Sequence, residues 1–313
     1  MAHDHKFRFG VQVSHATSAE DWRLKARRME DLGYATLYMP DHFIDTELAP
    51  MVAIAFAAAH TITLRIGHLV LGNDYKHPAV AAKEAATVDL LSDGRLEFGL
   101  GAGWMQTDYD ALGMPYDKAG TRVERLEEAL AVVKGAWSGE QFTFSGKHYT
   151  VTDYAGIPKP VQQPHPPIVV GGGAPRVLRL AGREADIVGI NPNLRKGAVT
   201  DDAVKSSLAE ATRQKIEWVK EGAGDRFDDI ELQIRYFLAS ITDDAEGFAG
   251  AVAGGFGMTA QDALESGVAL VGTVEQVIET LQRRREEWGV SYVVLGDDTF
   301  EAFAPVVAAL AGT

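Results

Sequence analysis

No cysteine occurs among the 313 residues. Disulfides, thiolate catalysis and cysteine-bound metals are thereby excluded. No run of about 18 apolar residues is present, as a membrane-spanning helix requires. The first residues show no charged-then-apolar leader pattern. The expectation is a cytoplasmic protein with no membrane partner. Basic residues are the minority: 30 Lys and Arg stand against 44 Asp and Glu, a net charge of −14. A nucleic-acid partner would call for a basic face, so none is expected. The densest basic cluster, Arg283–Arg284–Arg285, runs straight into Glu286 and Glu287 and reads as a solvated helix face. In so acidic a chain an anionic ligand needs local cations or backbone N–H groups. No HExxH, Walker loop or Ser/His/Asp order is found. His3-Asp4-His5 reads as a frayed terminus rather than a metal site, and no metal is expected.

What is present is an ordinary globular balance, 46% hydrophobic and 24% charged, which excludes disorder as the main state. Runs rich in Val, Ile and Leu fall at 7–13, 35–40, 65–71, 95–100, 168–171, 186–190, 231–241 and 292–295. Several are apolar almost throughout, as strands covered on both faces are. Helical patterns lie between them at 19–32, 51–61, 79–91, 122–137, 175–182, 201–221, 274–288 and 301–310. Eight β-then-α units predict an α/β chain closed into a (β/α)8 TIM barrel, with 1–313 as one domain. Ser18, with Asp21 three residues on, resembles a capping box for the first helix; Gly33 ends it, and Pro78 opens the third. Two insertions are expected. Residues 141–151 (QFTFSGKHYTV) read as a small β-hairpin, and the Ala- and Gly-rich 242–267 as a mobile insertion at the active-site face. Residues 158–167 (PKPVQQPHPP) read as a stiff, extended approach to the fifth strand, with His165 structural.

Chemistry in such a barrel sits at the C-terminal strand ends. The second strand ends in Asp41-His42, a carboxylate and an imidazole that can bind and protonate a ligand; the alternative is a turn in which Asp41 caps the loop backbone. The third ends in Gly72-Asn73, suited to a bulge or a tight approach to a ligand. The fourth ends in Gly99-Leu100-Gly101-Ala102-Gly103-Trp104, whose alternate glycines bare one face for something flat, or mark a kinked corner. The fifth ends in Gly171-Gly172-Gly173 before a helix, a candidate phosphate cradle to which Arg176, Arg179 and Arg183 add cations. The residues alone predict a flat, phosphate-bearing ligand and leave the reaction open.

Four stretches together resemble the bacterial-luciferase-like superfamily of flavin and deazaflavin oxidoreductases. They are MPDHF (39–43), HPAVAAKEAATVDLLSDGRLEFGLGAGW (77–104), RVERLEEALAVVKGAW (122–137) and PKPVQQPHPPIVVGGGAPRVLRLAGREADIVG (158–189), with a weaker echo in 272–295. Asp-His with GNDYKHP tilts the resemblance toward the coenzyme F420-dependent branch. The resemblance implies a barrel with a tricyclic ring at the strand ends, backed by a non-prolyl cis peptide at Leu69–Val70. It implies Asp41 on the edge of the ring and His42 as the acid near the substrate. Gly72, Ala102 and Gly103 would line the cofactor, Gly171, Gly172, Gly173 and Arg176 would hold its phosphate, and Tyr75, Trp104 and Met105 would wall the substrate pocket. The sugar-phosphate dehydrogenase branch carries a glutamate where this chain has Trp104, which puts that chemistry in doubt. The expected function is hydride transfer between the deazaflavin C5 and a small organic substrate, most simply its reduction. The alternatives are an FMN-dependent luciferase-like monooxygenase and a non-catalytic flavin-binding protein. A homodimer or higher homo-oligomer is expected, with pairing through outer helices. The Ala-rich 51–60 segment is a candidate face, although a core-facing helix would look the same.

Overall fold

A computed structural model describes residues 5–253 and 259–313. The glycines Gly254, Gly255 and Gly257 of the expected insertion, and His3 and Asp4, lie outside the described residues. The strands are β1 (Arg8–Gln12), β2 (Thr36–Met39), β3 (Arg65–His68), β4 (Leu71–Gly72), β5 (Leu96–Gly101), β6 (Phe142–Ser145), β7 (Thr150–Tyr154), β8 (Ile168–Gly172), β9 (Ile187–Ile190), β10 (Glu231–Arg235), β11 (Leu238–Ile241), β12 (Ala269–Gly272) and β13 (Val290–Gly296). The helices are α1 (Ala19–Asp31), α2 (Pro50–Ala59), α3 (Pro78–Leu91), α4 (Gln106–Leu112), α5 (Ala119–Trp137), α6 (Pro175–Glu184), α7 (Asp201–Lys205), α8 (Ala209–Ala223), α9 (Ala245–Ala253), α10 (Ala260–Glu265), α11 (Val274–Trp288) and α12 (Ala304–Leu310).

Parallel pairing runs β3-β2-β1-β13-β10-β9-β8-β5, and β5 pairs back on β3, so the sheet closes. This is the expected eight-stranded barrel, with β3 and β4 as two pieces of one strand. Residues between strands and helices form the main core, among them Phe9, Leu37, Ile66, Phe98, Val170, Ile234 and Leu295. Tyr38, Val169, Ile187, Tyr292 and Val294 fill the barrel interior, with Leu69 and Val70 above them. Both strand faces are therefore buried, which is why the strands read as near-continuous apolar runs.

The N-terminal end of the barrel holds a charge. Fully buried Glu97 accepts from Arg8 Nη1 at 3.0 Å, Arg65 Nε at 2.8 Å and the Tyr292 hydroxyl at 3.0 Å, and also from the Tyr38 hydroxyl. Burial alone would raise its pKa, but the two guanidinium groups and the hydroxyls bring it down to about 2. Arg8 turns its remaining edge to Glu231, at 2.6 Å.

Several boundaries differ from the sequence expectations for physical reasons. The strand expected at 65–71 breaks at Leu69–Val70. That expected at 231–241 divides, because β11 leaves the barrel to pair with β12. The helix expected at 201–221 breaks at Ser206–Leu208, where Ser206 and Ser207 hydroxyls bond back to Ala203 and Val204 carbonyls and end the first piece. The last helix begins at Ala304 rather than 301. Ser18 does accept from Asp21 N, but the Asp21 carboxylate returns to Thr17, not to Ser18, so the box is half formed. The hairpin is real and extends to Tyr154. Its turn is held by Glu128, which accepts from the backbone of Lys147, His148 and Tyr149 at 2.8–3.0 Å. Among the described residues of 242–267 lie two helices, α9 and α10. Arg284 is not on a solvated face: it is 1% exposed and donates to the carbonyls of Ala269 at 2.7 Å and Ser266 at 2.9 Å, tying this insertion to α11.

Candidate active site

The C-terminal strand ends enclose a largely apolar cavity of about 720 Å³. That size suits a cofactor with a small substrate. Among the residues proposed from the sequence, Asp41, His42, Leu69, Val70, Gly72, Tyr75, Ala102, Gly103, Trp104, Met105, Gly171, Gly172 and Gly173 all line it. Arg176 does not. It lies on the outer side of α6, half exposed, paired with Glu124 at 3.4 Å and with the Gly120 carbonyl. Arg179 and Arg183 are likewise paired outward, with Glu221 and Glu127. The cavity's cations are instead Arg122, Arg195 and Arg235. Arg122 is buried and donates to the Gly103 carbonyl, the Tyr116 hydroxyl and the Asp117 carbonyl while stacking on Tyr116. It was hidden in the sequence as the first residue of an ordinary helical pattern.

The Leu69–Val70 peptide is cis, as the resemblance implied. The bulge it forms explains the glycines of the neighbouring strand. A Cβ on Gly99 would fall 1.9 Å from the His68 carbonyl oxygen, and one on Gly101 would fall 2.5 Å from Val70 Cγ2. The face those glycines bare is filled by the protein's own bulge rather than by a ligand, and Leu69 and Val70 become the apolar floor. Gln12 Nε2 donates to the Leu69 carbonyl at 2.8 Å. Asp41 Oδ2 accepts from Gly72 N at 3.0 Å, joining the ends of β2 and β4. Burial raises the Asp41 pKa above the usual carboxylate range, against the opposing effect of that N–H.

The glycines after β8 have two uses. A Cβ on Gly173 would strike the Pro192 carbonyl oxygen at 2.2 Å, and one on Gly172 would strike Val177 at 2.5 Å. Close packing therefore requires both, whatever they bind. Gly171 and Gly172, the last two residues of β8, still face the cavity ahead of the N-terminus of α6, an end that favours an anion. The facing wall is the 191–207 segment. Its two ends are joined by Lys215, buried under it, whose Nζ donates to the carbonyls of Asn191 at 2.7 Å and Ser206 at 2.6 Å. With no carboxylate paired to it among the described residues, burial lowers the Lys215 pKa to about 8.

His42 is held from several sides. Its Nδ1 lies 2.7 Å from Asp108 Oδ2, while Asp108 Oδ1 accepts from Phe43 N at 2.9 Å. Asp108 is fully buried in the first turn of α4, where a carboxylate suits the helix dipole. Trp104 packs edge-on to the imidazole at 5.6 Å. Phe43 and Tyr75 pack edge-on at 4.9 Å beside it. The ring is thus fixed, and Nε2 is left toward the cavity. Sequence reading missed Asp108, which sits in a short unassigned helix 66 residues from its partner. The turn after β4 is held by a further pair, Arg125 on Asp74 at 2.8 and 2.7 Å.

The sequence model for luciferase-like monooxygenases matches residues 5–292. The chain belongs to the luciferase-like monooxygenase family. Two relatives illustrate its breadth. An FMNH(2)-dependent dimethylsulfone monooxygenase of Pseudomonas putida is 36% identical over 141 residues, covering 44% of this chain and 39% of that protein. An F420-dependent glucose-6-phosphate dehydrogenase of Kineococcus radiotolerans is 32% identical over 216 residues, covering 66% of this chain and 62% of that protein. In both cases the matched stretch spans less than two thirds of the relative's length. The structure of a coenzyme F420 dependent tetrahydromethanopterin reductase from Methanopyrus kandleri superposes with a TM-score of 0.79 at 19% identity, covering 98% of this chain and 99% of that one. That likeness is one of fold.

Proposed function

We propose that the protein is an oxidoreductase using coenzyme F420 on a small organic substrate, with His42 as proton donor. The single observation that carries this reading is the His42–Asp108 dyad at the mouth of a cavity with an apolar floor and a glycine-lined anion site. The residues fit such a cofactor. Leu69 and Val70 offer a flat apolar seat, Asp41 and Gln12 offer polar partners at its edge, and Gly171 and Gly172 offer N–H groups for a phosphate. When bound, a deazaflavin supplies or accepts a hydride at its C5. Asp108 accepts from Nδ1 and so leaves Nε2 as the position that exchanges a proton with the substrate. Trp104 and Tyr75 shut water from one side of that nitrogen and fix its distance to the substrate.

FMN remains the second reading, favoured by the dimethylsulfone monooxygenase relative. A third, a flavin-binding protein without turnover, leaves the dyad without a task. We also propose a homodimer, since α2 buries Ala53, Ile54 and Ala57 yet exposes Val52 and Phe56 four residues apart on its outer side.

The test is reconstitution with each cofactor, followed by turnover on a panel of ketones, enones and imines. F420-dependent turnover that persists without oxygen, and that His42→Ala lowers by about 10²–10⁴ with cofactor affinity unchanged, supports the reading. Turnover only with reduced FMN and oxygen replaces it with the second. Cofactor binding with no turnover, and no effect of His42→Ala, leaves the third.

A further inference from the structure

The cavity reaches beyond the barrel into a second compartment, walled by Val199, Ala203, Val204, Phe237, Leu238 and Val268. None of the six belongs to a barrel strand: three come from the 191–207 segment and three from the insertion that carries β11 and β12. The two walls meet at Ser207, whose carbonyl accepts from Gly267 N at 2.7 Å and from the Ser266 hydroxyl at 3.2 Å. Gly267 permits that approach, because a Cβ there would fall 2.5 Å from Thr212 Oγ1. Each wall is also tied from behind, one by Lys215 to the Asn191 and Ser206 carbonyls, the other by Arg284 to the Ser266 and Ala269 carbonyls. The compartment is thus shaped before anything enters it. Its hydroxyls are already used: Ser207 Oγ donates to the Val204 carbonyl at 2.5 Å, and Ser266 Oγ to Ser207. Arg235, at the end of β10, donates to Gln12 and to the Tyr236 carbonyl, has the Asp298 carboxylate beside it over Gly296, and lies 5.0 Å from the centre of the Phe237 ring. Arg195 stands exposed on the rim, where a charge pair contributes little. Yet Phe237 and Val199 leave more than half of their surface in water. Large apolar side chains bared together at one cavity mark a binding surface.

We infer that the substrate carries an uncharged apolar body that lies in this compartment between Val199 and Phe237 while its reacting group sits by His42, so that these two side chains set specificity. The barrel-end part of the cavity, floored by Leu69 and Val70, is left to the cofactor. The gain is one of area: an apolar body covers Val199 and Phe237 and leaves water itself, and each methylene buried in this way is worth about fourfold in affinity. A charged body would lose its hydration there and meet hydroxyls whose protons are already given to carbonyls. This inference rests on the cavity being the active site of the proposed oxidoreductase.

The test is calorimetric titration of the straight-chain methyl ketones from butanone to 2-octanone, and of heptanoate, into the cofactor-loaded enzyme, the cofactor-free protein and a variant carrying both Val199→Ser and Phe237→Ser. The expected result is a Kd that falls about fourfold with each added methylene until the compartment is filled, and heptanoate weaker than 2-heptanone. The double variant should lose at least about tenfold more affinity for 2-octanone than for butanone. Both substituted side chains are largely exposed, and thermal melting checks that the variant is folded. A Kd independent of chain length, no measurable binding of any ketone, heptanoate as tight as 2-heptanone, or an unchanged chain-length dependence in the double variant overturns the inference. If neither F420 nor FMN binds while the chain-length dependence holds in the cofactor-free protein, the oxidoreductase reading fails and the apolar subsite stands. F420-dependent turnover with affinities indifferent to chain length gives the reverse: the reading stands and the subsite fails.

Discussion

At the scale of single residues, the proposed chemistry turns on one histidine and the carboxylate that aims it. Asp41-His42 was legible in the sequence because both side chains are chemically conspicuous at a strand end. Asp108 was not, because an aspartate in a polar helical stretch looks like any other until the fold brings it to 2.7 Å from the imidazole. Asp108→Asn keeps the shape but can present an N–H to Nδ1, which favours the wrong tautomer. We expect kcat to fall by about 10²-fold or more with F420 affinity within about twofold, measured by steady-state turnover and by cofactor titration. Loss of cofactor affinity with kcat intact would assign Asp108 to binding instead. The glycines teach the opposite lesson. They were legible as special, but for Gly99 and Gly101 the reason was misread: they yield to the His68 carbonyl and to Val70, not to a flat ligand. A single strand's pattern cannot reveal what its neighbour pushes against it.

Among the elements, strand and helix periodicity placed nearly every piece of the barrel, since each strand is buried on both faces. Failures fell where the chain leaves that regular environment. The apolar run 231–241 continues through two strands that belong to different sheets, and its alternation carries no mark of the change at Tyr236–Phe237. The Arg283–Arg285 run shows the same limit, as only Arg284 of the three is turned under the insertion to bind three carbonyls, those of Ala269, Ser266 and Leu264. Arg284→Met removes those donors and leaves buried carbonyls unpaired, at about 1–3 kcal/mol. Hydrogen exchange should then quicken in β11, α10 and β12, with the barrel strands protected as before. Uniform quickening would mean that Arg284 supports the whole fold rather than the insertion that walls the cavity.

For the whole molecule, the barrel's closed end is held by Glu97 among Arg8, Arg65 and two tyrosines. A carboxylate whose pKa falls on folding adds stability above its ordinary value near 4.5, and that stability is lost as pH drops through its folded value of about 2. At about 1.4 kcal/mol per pH unit the contribution is roughly 3 kcal/mol. Denaturant melts of the wild type should therefore weaken between pH 4.5 and 2, and Glu97→Gln, less stable at pH 7, should flatten that decline. Parallel pH profiles for the two proteins would remove Glu97 as its source. The outer surface carries a separate expectation. Light scattering should give twice the 33.8 kDa chain mass, and Phe56→Glu on the exposed side of α2 should halve it. A wild-type monomer, or a dimer indifferent to Phe56, would exclude that face.

The proposed function rests on the cavity itself, and Trp104, which lines it, provides a reporter. Fluorescence titration of the purified protein with F420 and, separately, with FMN should show saturable quenching by F420 at micromolar concentration or below and weaker quenching by FMN. Preference for FMN would contradict the deazaflavin assignment, and quenching by neither would contradict a cofactor site at these strand ends altogether.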